Sequence, residues 1–173
     1  MAMKRSIPAS ASAVAALVLL ATGCGGLRGQ PTGRAGWLGY RVGALTLELP
    51  EDWGARGDAV RIAARSPDGL AVLKAAQLER AFPSEAECLA QAGQSIGRSA
   101  AGLERSRSHP TRLGGRAAFV MEGDRRGWHG WAWAACDGER QYRVEFMGAS
   151  PMAPETAAAQ RSVEGSVRFD GAR

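Results

Sequence analysis

The sequence predicts an α+β fold, a mainly antiparallel sheet with two main helices. Short stretches of alternating apolar residues are separated by turn signals, and only two segments have helical periodicity. Strands interrupted by one middle helix and followed by one C-terminal helix are typical of an antiparallel layered fold, not of alternating βαβ units. We predict a single α+β domain over residues 37–170.

The first half of the domain is predicted to form hairpins. Leu45, Leu47 and Leu49 alternate with polar residues, which is the pattern of a strand with one apolar face. Pro50 ends that strand, and the Ser-Pro-Asp-Gly sequence at 66–69 is a strong turn signal. The predicted strands of this half are 40–42, 45–49, 59–64 and 71–77.

The middle helix is predicted to run from residue 84 to about residue 98. Ser84 and Glu87 form an S-x-x-E capping box, in which each side chain satisfies a free backbone N–H of the first turn. Cys88, Ala92 and Ile96 lie on one stripe at helical spacing, so we expect Cys88 to face the core.

The second half is predicted to contain further hairpins, a helix over 150–164 and a closing strand at 167–169. Asp137-Gly138 is a strong hairpin signal, and a two-residue turn there places Cys136 opposite Glu139. The same register places Trp133 opposite Tyr142 and Trp131 opposite Val144. The predicted strands are 103–108, 116–122, 130–136 and 141–148.

The N-terminal segment predicts export and lipid attachment. Lys4 and Arg5 precede an apolar run at 13–20, followed by small residues and Cys24. The run is too short for a membrane-spanning helix, and an uncut signal anchor is the alternative. Residues 20–24, Leu-Ala-Thr-Gly-Cys, resemble the bacterial lipobox. We therefore predict a signal peptide over 1–23 and a flexible Gly-, Pro- and Arg-rich tether over 24–36.

The lipobox resemblance implies where the protein is located. It implies a diacylglyceryl thioether and an N-linked acyl chain such as palmitate on Cys24. Two or three acyl chains hold a protein on a membrane essentially permanently. The expected location is the cell envelope, and Gly25 favours the periplasmic face of the outer membrane where a cell has one.

The other two cysteines are predicted to form a disulfide. Cys88 and Cys136 remain after lipidation, and two cysteines in an exported domain are usually paired. Two separate buried thiols are the alternative. The chain has only two histidines, and neither is near a cysteine in sequence, so no metal site is predicted.

The order of elements resembles a known fold family. A strand ending in Leu49-Pro50-x-x-Trp53 precedes a middle helix, the sequence Leu-Gly-Gly-Arg-Ala at 113–117 and a long hairpin, and a last helix leads into 166–169. This arrangement resembles the PsbP-like α/β/α sandwich over roughly residues 37 to 170. The resemblance implies a domain that binds proteins or stabilises assemblies, with no shared catalytic residues.

No catalytic arrangement is predicted. His109 and His129 lack a neighbouring nucleophile motif, and there is no glycine loop for phosphate and no cofactor motif. We expect the protein not to be an enzyme and to need no cofactor. An envelope hydrolase is the weaker alternative.

The predicted binding residues surround one tryptophan. Trp131 and Trp133 are expected in the core, whereas Trp128 takes the other face beside Arg125, Arg126 and His129. The chain has 22 basic and 17 acidic side chains, an excess that is also typical of a GC-rich genome. The leading expectation is an envelope protein partner, and the alternative is a small ligand or glycan at these four residues. Anionic lipid headgroups are a further candidate, whereas nucleic acid is not expected as a partner.

Overall fold

The computed structural model of the protein describes residues 27–99 and 104–170. Cys24 and the predicted signal peptide lie outside these ranges. The described residues form two helices and eleven strands. They are, in chain order, β1 (Gln30–Pro31), β2 (Trp37–Val42), β3 (Leu45–Pro50), β4 (Gly54–Asp58), β5 (Arg61–Arg65), β6 (Ala71–Ala81), α1 (Glu85–Ser99), β7 (Glu104–Leu113), β8 (Arg116–Arg125), β9 (Trp128–Asp137), β10 (Arg140–Ala149), α2 (Pro154–Ser166) and β11 (Arg168–Phe169).

The strands form two antiparallel sheets. The larger has seven strands in the order β4-β5-β6-β10-β9-β8-β7, and the smaller has four in the order β1-β2-β3-β11. Every pair of neighbouring strands is antiparallel. This confirms the predicted antiparallel α+β fold with two helices.

The seven-stranded sheet has a core on each face. The main core lies between this sheet and a layer formed by the small sheet and α2, which contributes Val163. The second core lies under α1, where Cys88, Ala92 and Ile96 pack on Ala134 and Cys136 of β9. The large sheet is therefore the middle layer, with α1 on the side opposite the small sheet. Within residues 27–99 and 104–170, no helix has the length and apolar character needed to cross a bilayer.

A disulfide joins α1 to the large sheet. Ser84 caps the helix by accepting a hydrogen bond from the Glu87 N–H at 3.3 Å, as the capping box predicts. One turn into the helix, Cys88 is bonded to Cys136, and their Cα atoms are 6.1 Å apart. Both cysteines are fully buried. The predicted pairing and the inward orientation of Cys88 are confirmed.

The hairpin between β9 and β10 has a different register from the predicted one. Asp137 pairs with Arg140, so the two turn residues are Gly138 and Glu139. Only the first of these has positive φ, 59° at Gly138, which is what a type II′ turn requires. Consequently Cys136 lies opposite Gln141, Trp133 opposite Val144 and Trp131 opposite Phe146.

The second helix and the predicted tether also differ from the prediction. The second helix begins at Pro154 and not at residue 150, and the Ser150–Pro151 peptide bond is cis. Proline at the first helical turn is favourable because its missing N–H has no partner within the helix there. Strand β1, which pairs with β2, lies inside the segment predicted to be a tether.

Candidate functional site

A groove lies on the α1 face of the large sheet, on strands that extend beyond the helix. Its central part is a depression of about 430 Å³. We call it the basic groove, and it is lined by Arg65, Val72, Lys74, Arg125, Arg126, Trp128, Glu145 and Met147. A smaller depression of about 120 Å³ continues the groove towards β9, and a larger one of about 670 Å³ continues it towards β4; each shares several of these residues.

Strand pairing places these side chains on one face. Directly opposed residues in an antiparallel pair point to the same side of the sheet. Val72 of β6 is opposite Met147 of β10, and it is also opposite Arg65 of β5. Lys74 is opposite Glu145, and Arg125 is opposite Trp128. The lining therefore follows from the register of β5, β6, β10, β9 and β8.

A pair of glycines deepens the part of the groove next to β8. Gly123 of β8 and Gly130 of β9 are directly opposed, so neither position contributes a side chain to this patch of the sheet. It forms a depression of about 120 Å³. A Cβ atom at Gly130 would lie 2.6 Å from the Phe146 carbonyl oxygen, so the strand tolerates only glycine at this position.

The charges of the groove favour an anion. Glu145, its acidic residue, forms an ion pair of 2.5 Å with Arg143. Arg65, Lys74, Arg125 and Arg126 form no ion pair with any residue in the described part of the chain. Four cations without an ion pair to the described residues, around one neutralised carboxylate, give the groove a positive potential, which attracts anionic groups over a range of about 8–10 Å in physiological salt.

The groove also has apolar surface. Val72, Met147 and half-buried Trp128 contribute it. A tryptophan beside arginines is typical of residues that anchor a binding partner, because the ring contributes a large contact area at little cost in conformational entropy. Of the four residues predicted to form a binding site, Trp128, Arg125 and Arg126 lie together here.

His129 is not part of the groove. It follows Trp128 in an extended strand, so its side chain points to the opposite face. There its Nδ1 lies 2.7 Å from Asp124 Oδ1, and its Nε2 lies 3.1 Å from Glu122 Oε1. Its ring contacts that of Trp131 edge-on, with centroids 4.7 Å apart. The structure therefore does not bring His129 together with Trp128, Arg125 and Arg126, because consecutive residues of a strand point to opposite faces.

The contacts of His129 do not favour catalysis. Both ring nitrogens face carboxylate oxygens, and no Ser or Thr hydroxyl bonds to the ring among the described residues. Cys88 and Cys136 are joined in the disulfide. His109 lies opposite Val120 on exposed strand β7. Over 27–99 and 104–170, no group of three or more His, Cys, Asp or Glu residues is placed to hold a metal ion.

Sequence reasoning missed five of the eight residues that line the groove. No local motif marks them as binding residues; they are Arg65, Val72, Lys74, Glu145 and Met147. Arg65 is 60 residues from Arg125 in the chain, and only the β6–β10 pairing joins the two halves of the sheet. Long-range strand pairing was the missing information.

The comparisons with known proteins show the fold of this chain. No protein-family model matches the sequence, and no curated protein matches it significantly. Among solved structures, the solution structure of cyanobacterial PsbP (CyanoP) from Synechocystis is similar, with a TM-score of 0.53 and 12% identity. This likeness covers 80% of the present chain and 95% of CyanoP.

A crystal structure of a protein from Bacteroides thetaiotaomicron is also similar, with a TM-score of 0.51 and 10% identity. The match covers 75% of the present chain but spans only 46% of the Bacteroides chain. Identities this low show the fold and nothing of the activity. The chain has the α+β, PsbP-like fold that the order of its elements predicts.

Proposed function

We propose that this protein is a lipid-anchored, non-catalytic binding domain of the cell envelope, and that a protein partner docks in the basic groove. The observation that carries the proposal is the groove itself. It combines four cations that form no ion pair with any described residue, partly buried apolar side chains and a half-buried tryptophan on one sheet face. Depletion of acidic groups around an aromatic anchor and arginines is typical of protein interfaces.

The proposed location has two independent supports. The first is the basic, apolar and lipobox-like order of residues 1–24. The second is the buried disulfide between Cys88 and Cys136, since disulfides persist outside the cytosol and are rare within it. A lipid on Cys24 would keep the folded domain at the membrane surface.

The non-catalytic part of the proposal rests on the contacts of the reactive side chains. His129 is held by two carboxylates, and both described cysteines are oxidised. The groove is lined by cations and apolar groups and includes one carboxylate, which is paired with Arg143. Such a lining can hold a ligand but offers no nucleophile and base pair.

Anchoring is tested with a Cys24→Ser variant expressed in a bacterium with two membranes. The parent should fractionate with membranes, and its intact mass should show acyl chains and the loss of two hydrogens at Cys88 and Cys136. The Cys24→Ser variant should lose the acyl mass and the membrane association. A Cys88→Ala/Cys136→Ala variant is the control and should stay membrane-bound. Equal fractionation of the parent and Cys24→Ser would refute the anchor.

Docking in the groove is tested by cross-linking in intact cells followed by purification of the full-length protein. We expect a saturable protein adduct whose yield falls when Trp128 is changed to Ala. Trp37→Ala is the matched control, because Trp37 is a partly buried tryptophan on the small sheet, stacked with Arg34. An adduct that is insensitive to Trp128→Ala would contradict docking in the groove.

The second candidate is a small anionic ligand or glycan bound by Trp128 and Arg125. The apposition of these two residues across β8 and β9 favours it, because a sugar ring can stack on the indole while an arginine binds its carboxylate or phosphate. A lower yield of the cross-linked adduct when an acidic monosaccharide such as glucuronate is added before cross-linking would support this candidate. Saturable binding of the saccharide without any protein adduct would show that this candidate, and not the protein partner, is correct.

A further inference from the structure

We infer that the basic groove binds an extended acidic polypeptide segment with interspersed apolar residues, supplied by a partner on the side of the domain that faces away from the anchoring membrane. This inference rests on the proposed function, since it assumes that the groove is the binding surface. It adds the chemistry and the direction of the partner.

The spacing of the cations indicates an extended ligand. Arg65 lies on β5 and Arg125 on β8, and β6, β10 and β9 lie between them. Four strand spacings of about 4.8 Å place these two strands about 19 Å apart. A single phosphate, carboxylate or lipid headgroup reaches only one end of such a row. An extended polypeptide rises about 3.3 Å per residue, so about six residues span it.

The floor of the groove distinguishes a polypeptide from an anionic polymer. Val72 and Met147 lie near the middle of the row, and Trp128 lies beside Arg125 at one end. A phosphate polymer would neutralise the cations but leave these apolar side chains in water. Acidic residues with apolar neighbours match both features, and methionine adapts its shape to varied apolar partners.

The layer order indicates the direction of the partner. Leu27 packs on the main core, which lies on the small-sheet side of the large sheet. The groove lies on the other side, with α1. Cys24 precedes Leu27 by three residues, a maximum reach of about 11 Å, whereas packed layers are separated by about 10 Å each. A lipid on Cys24 therefore holds the small-sheet side near the bilayer, and the lipids of that membrane are not the groove's ligand.

The test uses the full-length acylated protein in detergent and a dye-labelled peptide of about ten residues that alternates glutamate with valine, followed by fluorescence anisotropy. The comparison ligands are the same peptide with lysine for glutamate, inorganic polyphosphate, and glycerophosphoglycerol, the free headgroup of phosphatidylglycerol. The glutamate peptide should bind, and its affinity should fall as salt rises. The lysine peptide should not bind.

Charge reversal in the groove provides the variants. Lys74→Glu/Arg125→Glu should weaken binding of the glutamate peptide at least about tenfold and permit the lysine peptide to bind. The control Arg107→Glu/Arg161→Glu makes the same change in net charge on exposed residues of β7 and α2, and should leave the affinity within about twofold. Arg65→Glu is an independent second variant that should also weaken binding, and it provides the test if Lys74→Glu/Arg125→Glu folds poorly.

Three results would overturn the inference: no binding of the glutamate peptide, tighter binding of polyphosphate or of the free lipid headgroup, or equal affinity in the groove and control variants. These outcomes are separable from failure of the proposed function. If a cross-linked adduct still depends on Trp128 while the glutamate peptide fails to bind, the groove is the docking site but its partner has other chemistry. If the adduct does not depend on Trp128 and the glutamate peptide does not bind in the groove, both proposals are refuted.

Discussion

Trp128 and His129 are consecutive residues of β9, and they lie on opposite faces of the seven-stranded sheet. Trp128 lines the basic groove, whereas His129 lies between Asp124 and Glu122 on the side of the main core. These two consecutive residues therefore differ in role. Trp128 belongs to a surface available for binding, whereas both ring nitrogens of His129 already have partners within the domain. Their separate roles can be measured.

Replacing His129 should affect stability, whereas replacing Trp128 should affect binding. His129→Ala should lower the free energy of unfolding by about 1 kcal/mol, because Asp124 and Glu122 lose their shared partner at a partly exposed site. It should leave groove-dependent cross-linking unchanged. Trp128→Ala should lower cross-linking. Urea unfolding and adduct yield are the two measurements, and a His129→Ala variant that loses the adduct as fully as Trp128→Ala would show that our separation of roles is wrong.

Removal of the disulfide should destabilise the domain. Cys88 and Cys136 close a loop with a sequence separation of 48, for which the chain-entropy relation gives about 4 kcal/mol. The Cys88→Ala/Cys136→Ala variant should therefore unfold at a clearly lower urea concentration than the oxidised parent. Treatment with a thiol reductant should lower the midpoint of the parent and leave that of the variant unchanged. Equal stability of parent and variant would argue against this contribution.

Position 130 should accept only glycine, because the neighbouring strand leaves no room for a side chain. An added Cβ would meet the Phe146 carbonyl oxygen at 2.6 Å, and that oxygen is fixed by strand β10. We expect Gly130→Ala to cost about 1–3 kcal/mol through overpacking. Gly54→Ala is the control, since a Cβ there meets nothing within 4 Å. The control should be neutral or slightly stabilising, because alanine has fewer unfolded conformations, and thermal unfolding compares the two.

The hydroxyl group of Tyr142 should contribute to stability. It accepts a hydrogen bond from the Ala44 N–H at 3.1 Å and donates one to Gln77 Oε1 at 3.1 Å, and the residue is buried. Tyr142→Phe leaves a donor and an acceptor without this partner, which should cost about 1–3 kcal/mol in urea unfolding. Tyr40→Phe is the control, because the hydroxyl of Tyr40 has no hydrogen bond to any described residue. A larger loss of stability in Tyr40→Phe than in Tyr142→Phe would contradict the contribution assigned to the Tyr142 hydroxyl.

Tyr40 should make stability depend on pH in the alkaline range. Burial raises the pKa of Tyr40 above its ordinary value of 10.0. The stabilisation is therefore fully present below about pH 10 and is lost as pH rises towards the folded-state pKa, because the unfolded chain releases the proton first. Urea midpoints measured between about pH 9 and pH 11 should fall more steeply in the parent than in Tyr40→Phe. Parallel curves would show that Tyr40 does not contribute.

Local patterns were sufficient to predict most of the elements. The alternation of Leu45, Leu47 and Leu49 identified β3, and all three side chains are buried. The capping residues Ser84 and Glu87 identified the start of α1. Strand β4 was missed because Gly54–Asp58 has glycines and charges where an alternating apolar pattern would be expected.

The amino-acid sequence by itself determined most of the elements, the α+β class and the partnership of Cys88 with Cys136, because these depend on periodicity, capping and the number of cysteines. The tertiary structure alone decided that Arg65 and Lys74 share a groove with Trp128, and that His129 does not. Side-chain alternation and the pairing of β6 with β10 produce that result. Pairing between distant strands depends on how both faces of the sheet are buried, and no short stretch of sequence records it.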